Sequence, residues 1–215
     1  MDSKQWHEYV DVIYYINLDI REDRKEEFLE EMRRMGVPLN KIVRFPAIHK
    51  PAGKGIWGSG ISHSTVVKMF IESNLDRCII FEDDFQFTQD LSTINSMFQT
   101  VFNNLSGFDV IMLSANEIHT SDTECPHLKR VQNAQTTSGY ILNRRFSHKL
   151  YENYENGINL LEKCYELGDP IHYFCVDIYW KKLQPHSEWF LFSPKIGLQR
   201  PSFSDIEQRY TDYNV

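Results

Sequence analysis

The chain has 215 residues, 41% hydrophobic, 25% charged and 13% aromatic, which excludes a disordered, collagenous or coiled-coil protein and fits one globular domain over 1–215. Acidic side chains number 30 and basic ones 23, a net charge of −7 that gives no general attraction to nucleic acid or an anionic membrane. Any phosphate must therefore be gripped locally, by a few cations or a metal ion.

Four cysteines, Cys78, Cys125, Cys164 and Cys175, form no C-x-x-C pair or metal-finger spacing and read as thiols of a reducing compartment. No leader-like apolar run opens the sequence, and no stretch approaches the ~18–20 apolar residues of a membrane span. A soluble, cytoplasmic protein is the expectation.

Along the chain, short β-rich runs alternate with helical segments, the pattern of an α/β layer architecture. Residues 10–18 are almost all β-branched, aromatic or apolar and predict a strand buried on both faces. Asn17, Asp19, Arg21 and Arg24 follow it. A loop leaving a strand for a helix N-terminus suits a nucleotide, with arginine supplying planar hydrogen bonds; the same residues also read as a charged first helical turn. The helix that follows carries Phe28, Leu29 and Met32 on one face and closes near Gly36.

Residues 43–48 predict a second strand, before a glycine-rich passage over 51–60. Ser62 is then expected to cap a helix whose buried side carries Val66, Val67, Phe70 and Ile71. The glycines permit close backbone approach to a ligand, and His63 reads either as a contact to it or as a satisfied structural histidine. A third strand, 78–81, ends abruptly in Glu82-Asp83-Asp84. Beyond it come a helix over 91–105, a strand over 108–113, and a polar stretch over 119–135 expected to be a long surface loop. Residues 137–142 read as a strand leading into a helix through Tyr165, broken near Gly157. A turn at Asp169-Pro170 precedes an element over 176–183, and 189–192 is expected to be the last strand.

The acidic triplet is the most informative feature. Three consecutive carboxylates beside an apolar strand are costly to bury without a cation. Side-chain alternation would put Glu82 and Asp84 on one side, two oxygen ligands suited to Mg²⁺ or Mn²⁺, where open α/β sheets bind ligands. A solvated acidic turn is the plainer alternative. Asp177, between apolar residues, reads as a helix cap or as a base with a raised pKa. The polar segment 199–207, with Gln199, Ser204, Asp205 and Glu207, reads equally as a capped first helical turn. The sequence has no G-x-x-x-x-G-K-S/T, G-x-S-x-G or H-E-x-x-H motif, so a P-loop, a serine-hydrolase elbow and a zincin helix have no starting point.

In order, Tyr15-Ile-Asn-Leu-Asp19 with Arg21 and Arg24, Gly58 with Ser62-His63, and Ile79-Ile-Phe-Glu-Asp-Asp84 resemble glycosyltransferase family 25. Thr137 with Gly139-Tyr140-Ile141, Val176-Asp177, and Gln199 with Ser204-Asp205 extend the resemblance over about residues 10–207. The chain departs from the family pattern in having Ser59 before the Ser-His block and His49-Lys50 after the second strand.

The resemblance implies a GT-A-type nucleotide-sugar-binding fold, with a mostly parallel central sheet flanked by helices. It also implies a UDP-sugar donor, galactose or glucose, with Mn²⁺ or Mg²⁺ and an inverting transfer to a hydroxyl of a glycan, hydroxylated peptide or small molecule. Carried over by position, Asn17, Asp19, Arg21, Arg24, Ser62, His63, Glu82, Asp83 and Gln199 would face the donor. Glu82, Asp84 and Asp205 would hold the metal, and Asp177 would be the general base. The nearest counterpart of the C-terminal histidine that many GT-A enzymes supply is His186. A sugar-1-phosphate nucleotidyltransferase, a catalytically silent nucleotide-sugar-binding protein and a purely structural interaction domain are the alternative readings.

Overall fold

The computed structural model describes residues 4–169, 171–206 and 208–212. Its centre is an eight-stranded sheet built from β1 (Val12–Asn17), β2 (Ile42–Pro46), β3 (Arg77–Glu82), β5 (Val110–Met112), β6 (Asn116–Asp122), β7 (Leu128–Gln135), β8 (Gly139–Asn143) and β9 (Trp189–Phe192). The strand order across it is β2-β1-β3-β8-β5-β9-β7-β6. β1, β2, β3, β5, β9 and β6 run one way, and β8 and β7 run against them. Two small ribbons complete the β-structure: β4 (Phe85–Phe87) with β10 (Gly197–Gln199), and β11 (Ser202–Ser204) with β12 (Arg209–Thr211).

Strand alternation divides the interior into two layers. Ile13, Tyr15, Ile79, Phe81 and Ile111 face α1 (Glu22–Arg34) and α3 (Leu91–Asn104), which supply Phe28, Met32, Phe98 and Val101. Tyr14, Ile80, Met112, Tyr140 and Leu191 face α2 (Gly55–Ser73), α4 (Arg144–Leu167) and α5 (Val176–Tyr179), which supply Val67, Phe70, Leu150, Tyr154 and Val176. Each large side chain so buried contributes about 1.5–3 kcal/mol. The result is helix, sheet, helix.

Several expectations need correction. α2 begins at Gly55 and not at Ser62, so Ser62 lies inside the helix and caps nothing. Its hydroxyl donates to the Gly58 carbonyl and accepts the Ile48 N–H, both at 2.8 Å. Residues 119–135 are largely a hairpin, β6 paired antiparallel with β7. α4 runs unbroken past Gly157, whose missing side chain makes room for the Tyr179 ring, since a Cβ there would lie 3.0 Å from it. Among the described residues β9 is followed by three more strands. Ser204 ends β11 instead of capping a helix, and its carbonyl accepts the Gln208 N–H at 2.8 Å. Pro170 and Glu207 lie outside the described residues. All four cysteines are free, and among the described residues no helix is long and apolar enough to cross a membrane.

Candidate active site

β3 is buried until it ends at Glu82, and Asp83-Asp84 make the turn into β4. Two small-residue contacts fix that turn from below. A Cβ at Gly139 or Gly197 would lie 2.7 Å and 2.2 Å from the Phe85 ring, so both must be glycine for Phe85 to seat beneath the acids. β10 pairs with β4 in a register that sets Gln199 opposite Phe85, delivering its amide to the carboxylates.

The two aspartates are almost fully enclosed, 6% and 5% exposed. Arg24 from α1 bridges them, with Nη1 at 3.0 Å from Asp83 Oδ1 and 3.2 Å from Asp84 Oδ2. Asn17 donates to Asp83 Oδ2 at 2.7 Å. One guanidinium does not offset the burial of both acids. Desolvation raises the Asp83 pKa, and desolvation followed by the Glu82 charge pushes Asp84 up to about 7. Asp84 Oδ1 is buried with no hydrogen-bond partner among the described residues.

Glu82 behaves oppositely. Burial pushes its pKa up, but the hydrogen bond and charge of His63, the Thr137 hydroxyl and Arg24 outweigh that, holding it below its ordinary value. Thr137 donates to Oε1 at 2.6 Å, and His63 Nε2 lies 3.2 Å from the same oxygen. Behind the ring, His63 Nδ1 sits 3.2 Å from Tyr140 Oη, which accepts from Tyr154 Oη at 3.4 Å. In the neutral ring, with Tyr154 donating to Tyr140 and Tyr140 to Nδ1, the one proton of His63 sits on Nε2, facing Glu82. Gln199 Nε2 lies 3.3 Å from Glu82 Oε2 and 3.5 Å from Asp84 Oδ2, so Glu82 and Asp84 present oxygens to the same side.

Two cavities meet at this point. The first, about 300 Å³, is lined by Arg24, Lys50, His63 and the three acids, with Ile16, Leu18 and Ile48 as apolar wall. The second, about 210 Å³, is lined by Asn116, Gln135, Thr136, Thr137 and Asp177. Ser59, Glu82, Gln199 and Ile206 belong to both. Burial, then the charge of Glu82, raises the Asp177 pKa, with its own and the Thr136 backbone N–H opposing. Thr136 holds φ at 96°, a conformation that is an outlier for a β-branched residue. That strain directs one backbone N–H at Asp177 while the next residue's hydroxyl reaches Glu82.

Of the residues singled out in the sequence, Arg24, Ser62, His63, Glu82, Asp83, Asp84, Gln199 and Asp205 line the first cavity, and Asp177 lines the second. Asn17, Asp19 and Arg21 line neither. Asn17 is buried behind Asp83, Asp19 is exposed and paired with Arg44 at 2.6 Å, and Arg21 pairs with Asp23 and Asp205 at 2.7 Å. His186 is exposed and lines neither cavity. Arg44, which orders Asn17 through Oδ1 at 2.9 Å, and Tyr154, behind His63, carried no motif signal.

Among the described residues no group of three or more His, Cys, Asp or Glu side chains is arranged to hold a metal by itself. Asp205 is committed to Arg21, and Arg24 stands beside Asp83. Glu82 Oε2 and Asp84 Oδ2 nevertheless face one side, and Asp84 Oδ1 has no partner among the described residues, an oxygen set that would fit a two-carboxylate half-site for a hard divalent cation.

Residues 39–164, more than half of the chain, match the model of glycosyltransferase family 25 (LPS biosynthesis protein). The chain belongs to that family. The family 25 match spans Ser62-His63, the acidic turn and Tyr140, and family membership carries a glycosyl-transfer role, with a sugar donor and an acceptor as its ligands. A search of curated proteins finds no match.

Among solved structures, mannose-1-phosphate geranyltransferase from Thermus thermophilus is similar over 88% of this chain and 73% of its own, with 9% identity and a TM-score of 0.50. A197 from STIV is similar over 84% and 81%, with 9% identity and a TM-score of 0.44. A glycosyltransferase involved in glycosylation of the major capsid of PBCV-1 covers 69% and 65%, with 11% identity and a TM-score of 0.40. At such identity the first of these bears on fold alone, and it agrees with a GT-A-like α/β architecture for this family 25 chain.

Proposed function

We propose that this family 25 chain transfers a hexose, galactose or glucose, from a UDP-sugar to an acceptor hydroxyl with inversion at the anomeric carbon, assisted by Mn²⁺ or Mg²⁺. The observation that carries this reading is the pair of cavities sharing Glu82 and Gln199 as a common wall, with the buried aspartates and Arg24 in one and Asp177 in the other. Single displacement needs the leaving group and the attacking hydroxyl on opposite faces of one carbon, and two chambers joined at a wall supply that division. One base is enough, and no second carboxylate is needed to form a covalent intermediate.

The first cavity suits the donor. Its apolar wall accepts a base and sugar, while Lys50 offers a cation to phosphate and Arg24 holds the acidic turn beside it. Glu82 and Asp84 would hold the divalent ion, which supplies charge neutralisation of the departing diphosphate. Asp177 takes the proton of the acceptor hydroxyl in the second cavity, and its raised pKa makes it a better proton acceptor than an exposed aspartate. The acceptor is a glycan, a hydroxylated peptide or a small molecule.

Release of UDP from a panel of UDP-hexoses, with and without Mn²⁺, tests the reading. Wild type is expected to release UDP from one hexose in a Mn²⁺-dependent way, and Asp84→Ala to lose that release. Asp177→Asn is expected to lower kcat ~10²–10⁴-fold while leaving donor binding unchanged. Near-wild-type turnover in Asp177→Asn would move the base elsewhere, and no metal-dependent UDP release from any donor would overturn the assignment.

A further inference from the structure

The opposite end of the sheet carries a further polar cavity, of about 370 Å³, lined by Lys4, Arg77 and Arg145 together with the rings of Tyr9, Phe102 and Phe108. It opens where β3 begins. Arg77 precedes Glu82 by five residues along the strand, which places it roughly 16 Å from the acidic turn. Among the described residues no carboxylate lines this cavity, although the chain holds 30 acids against 23 bases. Three cations drawn around one concavity, on a protein with a net charge of −7, run against the composition and repel one another.

The cations are held in place. Lys4 Nζ lies 4.5 Å over the Tyr9 ring, and the Arg77 guanidinium lies 5.4 Å over Phe102. Arg145 is anchored to Asp109 through Nε alone, at 2.8 Å, and its Nη1 lies 3.2 Å from where a Gly107 Cβ would stand. Nearby acids are committed. Asp11 caps the N–H groups of Asp76 and Arg77, and Asp109 also accepts the Glu188 N–H. Among the described residues the Arg77 side chain donates only one long bond, 3.4 Å to the Tyr9 carbonyl. The backbone N–H groups of Ser106 and Gly107, on the lining loop, meet no acceptor among the described residues.

We propose that this cavity is a binding site for a phosphate monoester, distinct from the donor and acceptor cavities. Arg145 is paired to Asp109, whereas Lys4 and Arg77 form no ion pair among the described residues, and with exposed Asp11 turned to backbone N–H groups beside Arg77 they supply the positive charge that a phosphate monoester, about −1.5 to −2 at neutral pH, would meet. Planar guanidinium groups give paired hydrogen bonds to its oxygens, and loop N–H groups add neutral donors. The rings beneath fix the cations before the ligand arrives, so little side-chain freedom is lost on binding.

Amide NMR of the full chain during titration with inorganic phosphate at constant ionic strength tests the site. Saturable shifts at Ser106 and Gly107 are expected, weakened about tenfold by Lys4→Gln and by Arg77→Gln, and much less by Arg77→Lys. Lys4 lies at the surface, so Lys4→Gln keeps the test open should Arg77→Gln fail to fold. Parallel titrations with glycerol phosphate and with vesicles containing phosphatidate separate a soluble phosphate monoester from a lipid headgroup. Shifts that grow linearly without saturating, that appear only at the donor cavity, or that persist undiminished in Lys4→Gln would overturn the proposal.

Discussion

Arg24 Nη1 lies 3.2 Å from Asp84 Oδ2, a contact that crosses 60 residues of sequence and ties α1 to the turn after β3. The same guanidinium reaches Asp83, and its other nitrogen holds Ser202 and the Phe203 carbonyl of β11. One side chain thus joins the acidic turn to the ribbon segment that lines the first cavity. Removing it strands two enclosed carboxylates. Arg24→Met is expected to destabilise the protein by ~3–5 kcal/mol, as loss of one partner from a buried ion pair does, and Asp84→Asn in the same chain should recover part of that. Urea denaturation of the single and double variants checks it, and full additivity would mean that the contact has no energetic weight.

Without divalent ions, stability should depend on pH through Asp84. Its folded pKa, about 7, lies above the ordinary 3.8, chiefly through desolvation. A carboxyl raised in the folded state contributes stability that is fully present below its unfolded pKa and lost as pH rises through the folded one. The urea midpoint should therefore fall from pH 3.8 toward about 7 by this contribution, and Asp84→Asn should flatten that slope. Glu82, held below its ordinary value, acts in the opposite sense on acidification. An unchanged slope in Asp84→Asn would assign the dependence to another group.

Thr137→Val keeps the side-chain shape but deletes the 2.6 Å hydrogen bond to Glu82 Oε1. A hydrogen bond to a charged group is worth ~1.5–3 kcal/mol, so stability should fall by about that amount and the Glu82 pKa should rise. Carboxylate NMR titration together with thermal denaturation reads both effects.

Gly58→Ala probes the wall of the cavity proposed for the donor. A Cβ at that position would stand 2.3 Å from the Ile48 carbonyl oxygen, a backbone atom that cannot swing aside. The substitution is expected to push the 47–50 segment off α2 and cost ~1–3 kcal/mol. Donor KM should rise more than kcat falls, because Ile48 and Lys50 line the cavity proposed for the donor and Asp177 lines the other. A change in kcat alone would place the effect elsewhere.

The parts of this molecule that follow local rules were readable from its sequence. β1 and β3 are built on apolar runs, 12–16 and 78–81, and the acid turn interrupts the second so sharply that its place at a strand end was evident. The hairpin over β6 and β7 was not, because the buried residues of β7, Leu128, Val131 and Ala134, recur every third position and not every second. Register shifts between Glu117 and Thr120 disturb its partner as well. The start of α2 was hidden because Gly55, Gly58 and Gly60 are poor helix formers, and Gly58 is retained for the close approach of Ile48. Asn17, Asp19 and Arg21 stood in a ligand-facing pattern, yet their side chains turn to Asp83, Arg44 and Asp205. Such choices among partners arise from distant segments, which no local spacing records.

α4 has 24 residues, a stiff cylinder ~36 Å long. Because β8 runs against its neighbours, this cylinder begins at the arginine-lined pole, where Arg145 stands, and travels back across the sheet. Nine residues after Arg145 it presents Tyr154, whose hydroxyl leads through Tyr140 to the imidazole beside Glu82. The antiparallel strand thus lets a single helix furnish a side chain at the arginine-lined pole and another behind the imidazole, so both ends of the sheet are built from one continuous element.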